Sequence, residues 1–160
     1  MSAIDHYINE VMEVGAGEAR ADGSAAVEAH HLLLGIAAHG DTAARTALAT
    51  AGLDRAALRA ALDREFEHSL NAVGVSPGAL SLPSPAPDPD RRPGMGASVR
   101  LALERGFARV GRKRDLRPAH VLLGVLEAEV GTVPRALALA GVDRAELMTA
   151  VHRAADASPW

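Results

Sequence analysis

The chain has 160 residues, nearly half of them apolar, and a formal net charge of −3. That length fits one domain or two small halves sharing a core, and the mild acidity argues against a general nucleic-acid binder, which carries a basic face. The absence of cysteine removes disulfides, thiolate nucleophiles and thiolate metal sites; no segment reads as a signal peptide or is apolar for long enough to cross a bilayer, so a soluble cytoplasmic protein is the expectation.

Alanine and leucine dominate and only four residues are aromatic. Such a core suits closely packed helices better than a β-sandwich. Ile4, Ile8, Val11, Met12, Gly15 and Ala19 repeat at helical spacing and predict a first helix over 5–21, with Asp5 as its N-cap. A second helix is expected over 28–38. His39-Gly40-Asp41-Thr42 turns the chain into a third over 43–50, which stops at Gly52. Asp54 caps a fourth, whose buried stripe is Leu58, Leu62 and Phe66. Residues 72–94 hold six of the nine prolines and read as an extended linker. Met95, Val99, Ala102, Leu103, Gly106, Phe107 and Val110 predict a fifth helical stripe. Pro118 suits the first turn of a sixth helix, running to about Glu129. Thr132 with Pro134 starts a seventh, ending at Gly141, and Asp143 caps an eighth that runs to about Ala155. The tail Ser158-Pro159-Trp160 is expected to be loose. No strands are expected.

The chain repeats itself. His31-Leu32-Leu33-Leu34-Gly35-Ile36 returns as His120-Val121-Leu122-Leu123-Gly124-Val125, 89 positions later. Without a gap, residues 31–62 lie over 120–151 with fourteen of thirty-two positions identical. The first-helix stripe returns 91 positions later, so the following loop is two residues shorter in the second copy. The expectation is an all-α protein, an eight-helix bundle of two pseudo-twofold four-helix repeats. The units are repeat one at 1–71, the linker at 72–94, repeat two at 95–156 and the tail at 157–160. The two repeats are expected to pack as one domain.

Catalytic signatures are missing. There is no Gly-x-x-x-x-Gly-Lys phosphate loop, no Gly-x-Gly-x-x-Gly and no His-Glu-x-x-His. Seven histidines raise a metal question, and His30, His31 and His39 cluster in sequence. Neighbouring helical residues point apart, however, and only His31 recurs, as His120. A histidine recurring at the start of a buried helix reads as a structural group, so no metal and no cofactor is expected. Arg109, Arg112, Lys113, Arg114 and Arg117 form the one concentrated charge, a candidate contact surface for a phosphate or an acidic partner.

The doubled pattern, Glu28-Ala29-His30-His31-Leu32-Leu33-Leu34-Gly35 and Arg117-Pro118-Ala119-His120-Val121-Leu122-Leu123-Gly124, each followed by Ala-Leu-x-x-Ala-Gly-x-Asp, resembles the Clp N-terminal domain family. These domains receive substrates and adaptors for the Clp ATPases. The resemblance implies the eight-helix fold and, as no phosphate loop precedes Trp160, a stand-alone protein without the ATPase modules. In ClpC-type members an acidic residue directly before the repeat histidine meets the guanidinium of phosphoarginine. The matching positions here are His30 and Ala119. Hydroxyl residues at the starts of the first and fifth helices hold the phosphate; the matching positions are Asp5 and Gly96, and a carboxylate at Asp5 repels phosphate. Family aromatics that hold cyclic peptides in some members correspond to Ile4 and Met95, and Arg100 matches a basic position of that site.

The resemblance therefore implies a non-enzymatic protein- or peptide-binding module, acting as a regulator, decoy or accessory adaptor of Clp-dependent proteolysis. Its expected ligand surface is Ile4, Asp5, Met95, Gly96 and Arg100. The expected partners are a Clp ATPase, its adaptors or substrates, or peptide-like ligands. No nucleic acid or membrane is expected, and the chain is expected to be a monomer. The alternative is the same fold redirected to sense or sequester a small molecule or peptide unrelated to Clp.

Overall fold

Ser2, not Asp5, begins the first helix. Its side chain caps the Asp5 amide, and Asp5 answers with a bond back to the Ser2 amide, so Asp5 is the third residue of a capping box. The computed structural model describes residues 1–76, 78, 83, 86–158 and 160. In chain order the helices are α1 (Ala3–Ala21), α2 (Ala29–Ala38), α3 (Ala43–Thr50), α4 (Arg55–Ala72), α5 (Ala97–Ala108), α6 (Pro118–Leu126), α7 (Thr132–Leu139) and α8 (Arg144–Ala157). A short 3-10 turn, Lys113–Asp115, joins α5 to α6. Thr42, Asp54 and Asp143 cap α3, α4 and α8 as their types predict.

Two small strands, β1 (Ala26–Val27) and β2 (Gly94–Met95), correct the strand-free expectation. They pair in parallel, Ala26 with Gly94 and Val27 with Met95, and so tie the end of the proline-rich segment to the first repeat. Met95 therefore precedes α5 instead of lying on its stripe. The linker expectation at Pro77 and Pro85 lies outside the described residues.

The buried residues form one cluster spanning both repeats. It runs from Ile4, Val11, Leu32, Leu33 and Ile36 through Leu58 and Leu62 to Val99, Val121, Leu122, Leu137 and Val151. Within each repeat the first two helices cross closely. A Cβ at Gly35 would collide with the Val11 carbonyl oxygen, and one at Gly124 with that of Ala102. Across the repeats, α3 packs on α8, α4 on α7 and α2 on α6.

Three apolar expectations are corrected. Phe66 is 61% exposed; the inward position there belongs to Glu65, which is buried and bonded to Arg135 of α7 at 2.8 Å and to Ser69. Phe107 is 44% exposed, because Leu103 and Gly106 form the inner face of α5. The tail is not loose at its end. The Trp160 indole meets Tyr7 edge-on at 6.1 Å, and its carbonyl accepts a hydrogen bond from the Ala43 amide.

Candidate functional site

The start of α2 brings the polar side chains together. The His31 Nδ1 accepts the Glu28 amide proton at 3.0 Å, so its proton sits on Nε2, which donates to Asp22 at 3.1 Å. His120 repeats the first bond, accepting from the Arg117 amide at 2.9 Å. The recurring histidine is thus a helix cap made from an imidazole. It satisfies a donor that a helix start leaves open.

Among the described residues, Asp22, His30 and His31 could gather around a cation. The hydrogen bonds commit both ring nitrogens of His31, and its Nε2 presents a proton instead of a lone pair. Burial pushes the Asp22 carboxyl up, but His31 and Arg59 outweigh it and hold it below the usual carboxylate range. These contacts describe a satisfied structural cluster.

His30 differs. Its ring stacks obliquely on His31 with centroids 4.0 Å apart. Burial, reinforced by His31, lowers its pKa to about 4, so the ring is neutral near pH 7. His30 and Thr132 are shared walls of two cavities. The first, about 310 Å³, lies between the start of α2, α5 and the loop leading into α7. Ala102, Val125 and Val133 give it an apolar floor, and Leu101, Val130 and Glu129 border it. The second, about 360 Å³, runs along α4 past Arg59 and Glu65 to Phe66. Val130 is 86% exposed, and Leu101 and Phe66 are also exposed. Three large apolar side chains therefore face solvent, Leu101 and Val130 at the first cavity and Phe66 at the second, along the groove that the two cavities form by sharing His30 and Thr132.

The groove's upper end is fastened by a contact that the sequence does not announce. Ser98, in the first turn of α5, donates its hydroxyl to the Glu28 carboxylate and accepts the Ala29 amide at 2.8 Å. The signals that could have found the groove are Leu101, an apolar residue off the α5 stripe, and Val130, isolated between Glu129 and the helix-breaking Gly131.

The structure divides the five expected ligand residues between two places. Ile4 is buried in the core at 3% exposure. Asp5 lies against the turn after α5, bonded to Lys113 at 2.7 Å. Lys113, and after it Ser2, hold its carboxyl far below the usual range. Gly96 is buried at the start of α5, where its amide donates to the Val27 carbonyl at 2.9 Å and a Cβ would meet the Glu28 carboxylate. Met95, 47% exposed, precedes it, and Arg100 is exposed one turn on. Val27 packs beside Gly15, ten residues along α1 from Asp5. The two places are therefore separated by roughly 15 Å along that helix.

No helix among the described residues is long and apolar enough to cross a membrane. A solved chain described under preliminary structural investigations of a malarial protein secretion system matches this fold with a TM-score of 0.60. The match is at 15% identity and covers 94% of this chain and 92% of that one. At that identity the likeness is one of fold. No curated protein sequence matches the chain. The family model of the Clp repeat (R) N-terminal domain matches residues 4–86, over half of the sequence, and the chain belongs to that family.

Proposed function

We propose that the chain is a non-enzymatic binding module that regulates Clp-dependent proteolysis, holding an adaptor or substrate segment that a Clp ATPase would otherwise receive. The observation that carries this reading is the apolar groove between the repeats, with Leu101, Val130 and Phe66 open to solvent. Family membership supports a Clp-related protein-binding role. A groove of this size, with an apolar floor in its first cavity and polar side chains along its second, suits side chains of an unfolded or flexible segment. Met95 and Arg100, exposed at the same end of α5, are proposed as flanking contacts; buried Gly96 acts by shaping that end of the surface, and Ile4 acts through the core. The binding is competitive: each segment held here is withheld from the motor.

The test is degradation of an adaptor-dependent substrate by a reconstituted Clp ATPase and protease, with the chain titrated in. The expected result is slowed degradation, restored by added adaptor or substrate, and no slowing by a Leu101→Glu, Val130→Glu variant. Both residues are exposed, so the variant keeps its core. Unchanged degradation at saturating chain, with no binding to motor, adaptor or substrate, overturns the reading. The redirected reading would then stand, since both cavities fall in the range that holds small molecules.

A further inference from the structure

The basic turn between α5 and α6 borders a third cavity, away from the groove. This cavity of about 440 Å³ has a floor of Phe107, Val110 and Leu116, and Arg112, Lys113 and Asp5 stand at its rim. The five cations of the turn divide by occupation. Arg109 is engaged with Glu127 at 2.7 Å, and Arg117 donates to the carbonyls of Arg114 and Leu116. Lys113 is bonded to Asp5. Among the described residues, no carboxylate lies within ion-pair distance of Arg112 or Arg114. Both are exposed; Arg112 lines the cavity, and neither Arg114 nor Asp115 of the same turn does.

The first repeat shows that the fold does not require this arrangement. At the matching register it places Ala16 for Phe107 and Ala19 for Val110, and its turn reads Asp22-Gly23-Ser24. The same pair of helices is joined there without the exposed ring or the cations. An exposed phenyl lining an apolar cavity, with Arg112 at its rim and Arg114 in the same turn, is a surplus specific to the second repeat.

We infer that this turn is a second docking surface, for an acidic peptide segment carrying an apolar anchor. The anchor fills the cavity against Phe107, Val110 and Leu116. The neighbouring carboxylates of the segment meet Arg112 and Arg114, where planar guanidiniums can pair bidentately. Charge complementarity selects the segment: the surface is locally basic on a protein of net charge −3. Asp5 is the built-in brake, since it occupies Lys113 and repels an incoming carboxylate. This surface lies on different residues from the groove and does not depend on the reading given for it.

Fluorescence anisotropy with labelled twelve-residue peptides tests the inference on the full chain. Four probes are needed: a glutamate-rich peptide with a central Phe-Leu pair, the same peptide with Ser-Ser at its centre, a lysine-rich version, and a single-stranded oligonucleotide of equal length. The expected result is salt-sensitive binding of the first peptide alone, weakened about tenfold by Arg112→Glu and tightened by Asp5→Asn. Phe107→Ser should weaken it through the anchor; should that variant misfold by circular dichroism, Arg112→Glu decides. Absence of binding by the acidic peptide overturns the inference. So does equal affinity in Arg112→Glu, equal affinity for the anchorless peptide, or tighter binding of the oligonucleotide.

Discussion

His30 and His31 are neighbours in sequence, yet the helix gives them different chemistry. His31 is locked between the Glu28 amide and Asp22. His30 faces the groove, and burial holds its pKa near 4 against an ordinary 6.5. A histidine whose folded pKa is depressed takes up its proton more readily when unfolded. Its contribution is complete above pH 6.5 and is lost as pH falls toward 4. Moving the pKa from 6.5 to about 4 places on the order of 3 kcal/mol in that window. Urea unfolding at pH 7 and pH 4.5 should therefore show the wild type losing stability. His30→Gln should lose about 2 kcal/mol less. Some slope should remain in the variant, because burial and then Arg117 also lower the His120 pKa. Identical slopes in the two proteins would show that His30 does not carry the effect.

At the scale of elements, the crossing of α5 and α6 is set by backbone contact, not by side-chain size. Gly124 sits where a Cβ would strike the Ala102 carbonyl oxygen and the Gly106 amide. Gly124→Ala must push the two helices apart, at a cost of about 3 kcal/mol. Gly17 provides the opposite case. It lies inside α1, and the nearest obstacle to an added methyl, the Arg20 side chain, would be 3.8 Å away. Gly17→Ala should stabilise by about 0.5–1 kcal/mol through helix propensity alone. Denaturant midpoints that move in the same direction for both would defeat this account. The repeated His-x-Leu-Leu-Gly motif makes this crossing legible in the sequence, because the register fixes both the cap and the glycine. The eight helices are legible for the same reason: caps and 3.6-residue periodicity are local signals. Phe66 and Phe107 mislead because apolar type alone does not establish burial. Neither β1–β2 nor the docking of Trp160 on Tyr7 leaves a local pattern, since each depends on segments far apart in the chain. The groove is hidden for a similar reason, as its walls come from five helices.

At the scale of the molecule, the question is what makes two similar halves behave as one. The shared apolar cluster supplies non-directional attraction between the halves. Directional contacts fix the alignment: Ser98 with Glu28, the β1–β2 pair, and Arg135 of α7 with Glu65 of α4. The last is the most exacting, because Glu65 is buried while Arg135 is largely exposed. Burial raises the Glu65 pKa; the Ser69 hydroxyl and Arg135 outweigh it and hold the carboxyl below its ordinary 4.5. Arg135→Met removes the guanidinium while keeping an apolar stem, and leaves a buried carboxylate with only Ser69 as partner. At pH 7 the variant should lose about 1–2 kcal/mol, less than a fully buried pair because solvent already screens Arg135. The pH dependence then separates charge from packing. In the wild type the depressed pKa contributes stability above pH 4.5 that is lost as pH falls through the folded value. In the variant, loss of the cation raises the pKa from its wild-type value, so Glu65 takes a proton sooner as the pH falls and its cost is relieved. The gap between the two proteins should therefore narrow from pH 7 to pH 4.5, read from urea midpoints measured side by side. A gap of constant size would mean that Arg135 holds the halves together by packing alone.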